Sequence, residues 1–538
     1  MLLCDRDFTI FYTGINQAAA CGQRDAKDRT VEQYDLLVIG GGINGAGIAR
    51  DAAGRGLRVL LCEKDDLAAH TSSASTKLIH GGLRYLEYYE FGLVRKALQE
   101  REVLLDAAPH IMWPLRFVMP HDADQRPAWL IRCGLFLYDH LARRRRLPGS
   151  ERIQLGSHVA GKPLQASYRQ GFVYSDGWVN DARLVVLNAI DAAERGATIL
   201  TRTACVAASR HGDGWQATLQ GADGKQATVH ARAVVNAAGP WVQQLLGGVI
   251  QAPASKAIRL VKGSHIIVKR LFEHPYAYIF QNPDKRIIFA IPYEQDFTLI
   301  GTTDVEYHGD AAQVAIDGDE VAYLCRMSNR YFTQQITPAD VVATYSGVRP
   351  LLDDDAANAS GVTRDYALEL DTDGAPLLSV FGGKITTYRK LAEQVVDQLA
   401  PLLGNTRPTW TAGQALPGGD LPGGDFDAFV ARLQADKPWL PAALAQRLAR
   451  AYGSRVHTLL GKAVSLADLG EAIQPGLYEA ELRYLVEEEW ATCADDILWR
   501  RSKLRLHLPA GADAAVEDWL ARYRRVATPC DQQATQAC

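Results

Sequence analysis

The chain has 538 residues, 47 % hydrophobic and 22 % charged, the balance of a globular protein large enough for several domains. Its formal net charge of −4 offers no general attraction to nucleic acid or anionic lipid, so nucleic-acid binding is not expected and any basic patch must be local. The nine cysteines form no CxxC pair and are odd in number, which argues against a disulfide scaffold and against a metal site. No apolar run reaches the roughly 18 residues that span a bilayer. Residues 1–33 read as a flexible extension; Asp5 and Asp7 do not suit a signal peptide.

The stretch "YDLLVIGGGINGAGIARDAAGRGLRVLLCEK" (34–64) opens the fold. An almost wholly apolar run at 34–39 predicts a buried parallel strand. Gly40-x-Gly42-x-x-Gly45 follows, then a helix of small residues and a second buried strand ending at Glu63. This is the dinucleotide fingerprint. Gly40 makes the tight turn, Gly42 lets a pyrophosphate approach the main chain, and Gly45 lets helix lie on strand. Glu63 is placed to accept hydrogen bonds from a ribose. The hydroxyl- and glycine-rich "DDLAAHTSSASTKLIHGG" that follows suits the wrapping of a second, larger cofactor half, which favours FAD over NAD.

Further along, "RPAWLIRCGLFLYDHLARRRRLPG" (126–149) sets Trp129, Leu130, Phe136 and Leu137 beside Arg143–Arg146. It reads either as an interfacial helix for anionic headgroups or as an ordinary helix with a basic end. Asn180 or Asp181 is placed to cap a helix. "AVVNAAGPWVQQLL" (233–246) predicts a strand returning to the nucleotide sheet, with Gly239 near the cofactor. The segment 276–303 predicts three short strands with turns at 282–284 and 294–296. "PLLSVFGGKITTYRKLAEQVVDQLA" (376–400) repeats strand, glycines and helix. Its N-terminal dipole near Gly383, Thr386 and Thr387 could meet an electron-rich ring edge. Residues 415–425, "ALPGGDLPGGD", read as a plain linker to a helical tail.

These motifs resemble the FAD-dependent, quinone-linked glycerol-3-phosphate dehydrogenases of bacterial aerobic metabolism, within the glycine-oxidase and D-amino-acid-oxidase group. The resemblance is carried by 34–64, "TSSASTKLIHGGLRYLEYYEFGLV", "LVKGSHIIV", "IGTTDVEY", "TYSGVRPL" and "FGGKITTYRKLAE", in order over about 34–400. It implies an α/β fold: a Rossmann-like FAD-binding domain of the glycine oxidase / D-amino-acid oxidase type, an antiparallel-sheet substrate cap and a C-terminal helical domain. The corresponding division is 34–108, 173–246 and 345–404 for FAD, 109–172 and 247–344 for the cap, and 405–538 for the helical domain. It further implies oxidation of sn-glycerol 3-phosphate to dihydroxyacetone phosphate, with electrons passed to ubiquinone. The enzyme would be a homodimer attached peripherally to the lipid surface at the cytoplasmic face of the inner membrane. A glycerol-3-phosphate oxidase that uses oxygen is the nearest rival.

A phosphorylated secondary alcohol needs cations, a base and a hydride acceptor. By the resemblance Arg84, with Tyr85 beside it, holds the phosphate; pairing of Arg84 with Glu87 or Glu90 is the alternative. Arg364 serves the phosphate or the C1 and C2 hydroxyls. Arg349 orients the C2 oxygen or forms an ion pair. Lys384 sits near the ring or that oxygen. His265 is the candidate base, with a satisfied sheet histidine as the bland alternative and His80 as a ring contact or lesser base candidate. Ser73, Ser75, Thr76, Lys77 and Leu78 are expected to run beside the pyrophosphate and ring.

Overall fold

The computed structural model describes residues 33–122, 125–253, 256–284, 286–352 and 365–527. Arg364, and the N-terminal extension up to residue 32, lie outside these residues.

The first strand, Gln33–Ile39, runs parallel between Val59–Cys62 and Gln226–Asn236. Thr198–Leu200 joins beyond the former and Leu377–Phe381 beyond the latter, again parallel. Three distant stretches of sequence thus become neighbours in one sheet, as the sequence predicts for 34–64, 233–246 and 376–400. The strand segments next to the glycine turns, residues 36–39, Val59–Cys62 and residues 233–235, are apolar and buried. Small residues set the spacing: a Cβ on Gly47 of helix Ile43–Gly54 would lie 2.7 Å from the Tyr388 ring of helix Tyr388–Leu399.

A second, ten-stranded sheet stands against the first. Its backbone is two long antiparallel pairs, Met112–His121 with Gln170–Val179 and Ile258–Lys269 with Val341–Leu352. Between them lies the expected three-strand meander, Ala277–Gln281, Ile287–Tyr293 and Phe297–Gly301. Residues 173–179 and 345–352 therefore pair in this sheet, whereas the sequence division assigned them to the FAD domain. Their apolar pattern suits either sheet, and the partner that decides lies 50 or more residues away.

Helices Phe426–Asp436, Ala442–Tyr452, Glu479–Glu489 and Ala512–Ala527 enclose a separate core that includes Leu433, Leu448, Leu485 and Leu498. The helix Glu479–Glu489 ends at Glu489, and a further helical turn follows at Asp496–Arg501. Residues 415–425 are not a loose linker. Leu416 is buried and its N–H donates to the Ala107 carbonyl at 2.8 Å, while a Cβ on Gly418 would meet the Tyr452 carbonyl oxygen at 2.3 Å. The glycines there permit close approach of chain to chain. No described helix is long and apolar enough to cross a membrane.

Candidate active site

A cavity of about 740 Å³ opens where the parallel strands end, at Gly40, Glu63, Ala237 and Gly382. Strand C-termini in an open α/β sheet are where such folds receive nucleotides. The main chain is folded to its closest limit there. A Cβ on Gly40 would lie 2.5 Å from the Ala237 carbonyl oxygen, and one on Gly45 would lie 1.8 Å from that of Gly40. Gly42 lines the cavity at the start of helix Ile43–Gly54, and the buried Oδ1 of Asn44 in that first turn has no partner among the described residues. Glu63 is held at the opposite lip: its carboxylate accepts the N–H groups of Gly41 at 2.6 Å and Asp65 at 2.9 Å. Burial raises its pKa, and these two bonds oppose that. The cradle fits a dinucleotide as large as FAD.

The ring end has a different construction. Gly382 and Gly383 take positive φ, +78° and +110°, and the Gly382 carbonyl accepts a bond from Asn44 Nδ2 at 3.2 Å. The Thr386 hydroxyl accepts the His80 N–H at 3.2 Å, and Thr386 and Thr387 are both buried. Gly239, at φ +56°, lines the cavity beside Trp241. Gly239 and Gly383 line the cavity, and Thr386 and Thr387 follow Gly383 within four residues along the chain.

The segment from Ser73 to Leu78 is built otherwise than expected. Ser72, not Ser73, meets the glycine turn, accepting the Ile43 N–H at 3.0 Å; the Ser73 hydroxyl turns back to the His70 carbonyl. Lys77 is buried and donates to Asp181 at 2.7 Å, so its charge is matched inside the protein rather than offered to a pyrophosphate. Ser75 also binds Asp181. Leu78 is buried in a short strand against Trp178. An acidic residue 104 positions away captures this segment, which no local pattern announces.

Opposite stands the second sheet. His265 is 1 % exposed and stacks on Tyr345 of the adjacent strand, ring centroids 4.6 Å apart. Its Nε2 lies 3.0 Å from Thr76 Oγ1, and its Nδ1 has no hydrogen-bond partner among the described residues. Burial, reinforced by the charges of Arg349 and Lys77, holds its pKa well below the ordinary histidine value, which favours the unprotonated ring. Arg349 pairs with Asp304 and donates to Thr302 Oγ1 at 3.0 Å, so the ion-pair alternative is realised; the pair also fixes the guanidinium. Lys384 Nζ lies 4.1 Å from the centre of the Tyr85 ring, bringing two predicted residues together across 299 positions. Arg84 forms no ion pair or hydrogen bond with another described residue, because Glu87 pairs with Arg126 instead at 3.0 Å. Asp181, Asp304 and Tyr345 are the residues sequence reasoning missed. Asp181 was visible only as a possible helix cap.

On the surface, helix Ala128–His140 buries only Leu135 and Tyr138 and exposes Trp129 (68 %) and Phe136 (55 %). Arg95, His140, Arg143 and Arg144 line a shallow basic pocket beside it.

Comparison with known proteins agrees with this geometry. Residues 35–389 match the family described as FAD dependent oxidoreductase, and residues 410–525 match the C-terminal domain of alpha-glycerophosphate oxidase. The chain is 54 % identical to a glycerol-3-phosphate dehydrogenase of Pseudomonas aeruginosa, over 91 % of this chain and 95 % of that protein. It is 53 % identical to a D-erythritol 1-phosphate dehydrogenase of Brucella abortus, over 92 % of this chain and 99 % of that one. Among solved structures, the glycerol-3-phosphate dehydrogenase from Bacillus halodurans complexed with FAD superposes with a TM-score of 0.74 at 30 % identity, covering 91 % of each chain.

Proposed function

The chain belongs to the FAD-dependent oxidoreductase family, and from that premise we propose that it oxidises sn-glycerol 3-phosphate to dihydroxyacetone phosphate. FAD is the cofactor; when bound it supplies the acceptor for the hydride from the substrate's C2.

The protein's own residues do the rest. Arg84, whose charge no described residue matches, takes the phosphate: its planar fork fits phosphate oxygens. Tyr85 and Lys384 stand beside it, and Arg364 is assigned to the phosphate or the neighbouring hydroxyls. Arg349, steadied by Asp304 and Thr302, orients the C2 oxygen and favours its carbonyl form. His265 removes the C2 hydroxyl proton. The observation that carries this reading is the buried imidazole of His265 with one nitrogen unpartnered among the described residues.

The reading is tested by adding sn-glycerol 3-phosphate anaerobically to purified yellow protein. Bleaching of the flavin is expected; an unbleached flavin with this substrate would overturn it. A second substrate has a specific observation in its favour. The D-erythritol 1-phosphate dehydrogenase is nearly as similar as the glycerol-3-phosphate dehydrogenase, 53 % against 54 %. Comparing kcat/KM for the two polyol phosphates decides between them.

The acceptor in this reading is a membrane quinone, reached from the cytoplasmic face of the inner membrane through peripheral attachment. The exposed Trp129 and Phe136 beside Arg143 support the helix Ala128–His140 as the contact surface. Flotation with anionic vesicles should fall when Trp129 and Phe136 are replaced by serine, and unchanged flotation would remove this surface from consideration.

A further inference from the structure

Asp181 stands at the start of helix Asp181–Glu194, buried, and gathers four donors. Its Oδ2 accepts the Ser75 N–H at 3.1 Å and the Ser75 hydroxyl at 2.7 Å. Its Oδ1 accepts from Lys77 Nζ at 2.7 Å and from the Ala182 N–H at 2.9 Å. One carboxylate thus grips both ends of the tripeptide Ser75-Thr76-Lys77. Lys77 sits at φ +60°, a left-handed conformation uncommon for a lysine, which the surrounding bonds sustain.

What the grip presents is Thr76. Its hydroxyl is the partner of His265 Nε2 at 3.0 Å. The Ser75 carbonyl in turn accepts the Tyr345 hydroxyl at 2.9 Å, and the Tyr345 ring stacks on the imidazole with an interplanar angle of 16°. Lys77 Nζ lies 4.8 Å from the centre of that same ring. Two lines that share the clamped tripeptide, one continuing through Thr76 and one through Ser75 and Tyr345, therefore run from Asp181 to His265.

We propose that Asp181 is a positioning residue of the reaction: by clamping Ser75 and Lys77 it sets Thr76 to accept from Nε2–H of His265 and leaves Nδ1 free to take the substrate proton. This rests on His265 being the base. The hydroxyl bond breaks with its electron pair remaining on oxygen, the proton goes to Nδ1, the C2 hydrogen leaves as hydride to the cofactor, and the C2–O double bond forms. The second nitrogen of a catalytic histidine sets the tautomer through the hydrogen bond it makes. The charged groups around the imidazole are Arg349 on the adjacent strand and Lys77 on the clamped segment; Glu294 and Lys503 complete the buried charges near Asp181 and Lys77.

The test uses the holoenzyme with Thr76→Val, Thr76→Ser and the charge-balanced double variant Lys77→Met/Asp181→Asn, which removes both members of the buried pair and so leaves no lone charge. Nitrogen NMR of labelled histidine should show His265 as the Nε2–H tautomer in the parent protein, with that signature weakened in Thr76→Val and in the double variant. Anaerobic flavin reduction should slow by at least about 10-fold in both, with substrate affinity within about twofold and the pH profile displaced, and Thr76→Ser should recover most of the rate. A parental tautomer and pH profile in the double variant would overturn the role of Asp181; an Nδ1–H tautomer in the parent would overturn the proton's destination. Should His265→Ala itself reduce the flavin at the parental rate, the base assignment fails instead, and the two failures are distinct.

Discussion

Two buried charged regions of this protein can be set side by side. One is the junction between the nucleotide domain and the C-terminal helices. Arg183 there pairs with Glu489, both fully buried, and Arg501 pairs bidentately with Asp66 at 2.6 and 2.8 Å. Arg202 and Arg500 share Asp496, whose carboxyl is held well below the ordinary range by main-chain N–H groups and these arginines against its burial. The other is the wall around His265. It too has closed pairs, Lys77 with Asp181 and Arg349 with Asp304, but beside them stands an imidazole nitrogen that no described residue satisfies. Buried polar groups are normally paired. At the junction each arginine named has a counter-carboxylate and the network fastens domains, although single nitrogens there (Arg183 Nε, Arg501 Nε and both of His110) also lack a hydrogen-bond partner among the described residues. At the wall the unpartnered nitrogen belongs to the proposed base.

This contrast predicts that the junction fails in stability and the wall in chemistry. The largest effect belongs to Arg183→Ala, which leaves the buried Glu489 carboxylate with only the longer 3.8 Å contact to Arg501 and should cost about 3–5 kcal/mol in chemical denaturation. Flavin reduction by the fraction that remains folded should be unaltered; a slowed reduction would erase the distinction. Next, His265→Ala should slow anaerobic flavin reduction at saturating substrate by about 10²-fold, the worth of a positioned base, while melting stays near the parental temperature. Stopped-flow absorbance measures it. Arg84→Ala should weaken substrate binding by about 10- to 100-fold, the worth of a charged hydrogen bond, with little change in reduction rate once saturated. Equal binding by parent and variant would refute the phosphate contact.

The smallest effect sharpens the comparison through pH. His110 is fully buried next to the junction, and burial, followed by the charges of Arg183 and Arg450, depresses its pKa to about 3. The unfolded chain, titrating near 6.5, takes up the proton first. Its stabilising contribution is therefore complete above pH 6.5 and is lost as pH falls from 6.5 toward about 3, by at most about 1.4 kcal/mol per pH unit. His110→Gln should flatten stability between pH 6.5 and 5, measured by denaturant unfolding at each pH. An unchanged slope would sink the assignment.

The cradle was legible because it is made of main chain. Gly40, Gly42 and Gly45 state by their lack of side chains where the chain approaches itself, and Glu63 follows from strand length. The meander at 277–301 was legible for the same local reason, its turn residues and alternation. The wall was legible only in part. His265, Arg349, Lys384 and Arg84 were singled out as candidates, but Lys77 was read as a cofactor contact because its partner Asp181 lies far along the chain. Residues 415–425 read as a linker because glycine serves flexibility and close packing alike, and composition does not separate the two.

The amino-acid order alone determined the nucleotide-binding unit and pointed to FAD rather than NAD, since glycine spacing and apolar period act within a few residues. Only the folded chain decided which charges are matched and which are left for a ligand. Electrostatic pairing is settled by distances of a few ångströms between residues that may stand a hundred or more positions apart, and such distances exist only once both sheets have formed.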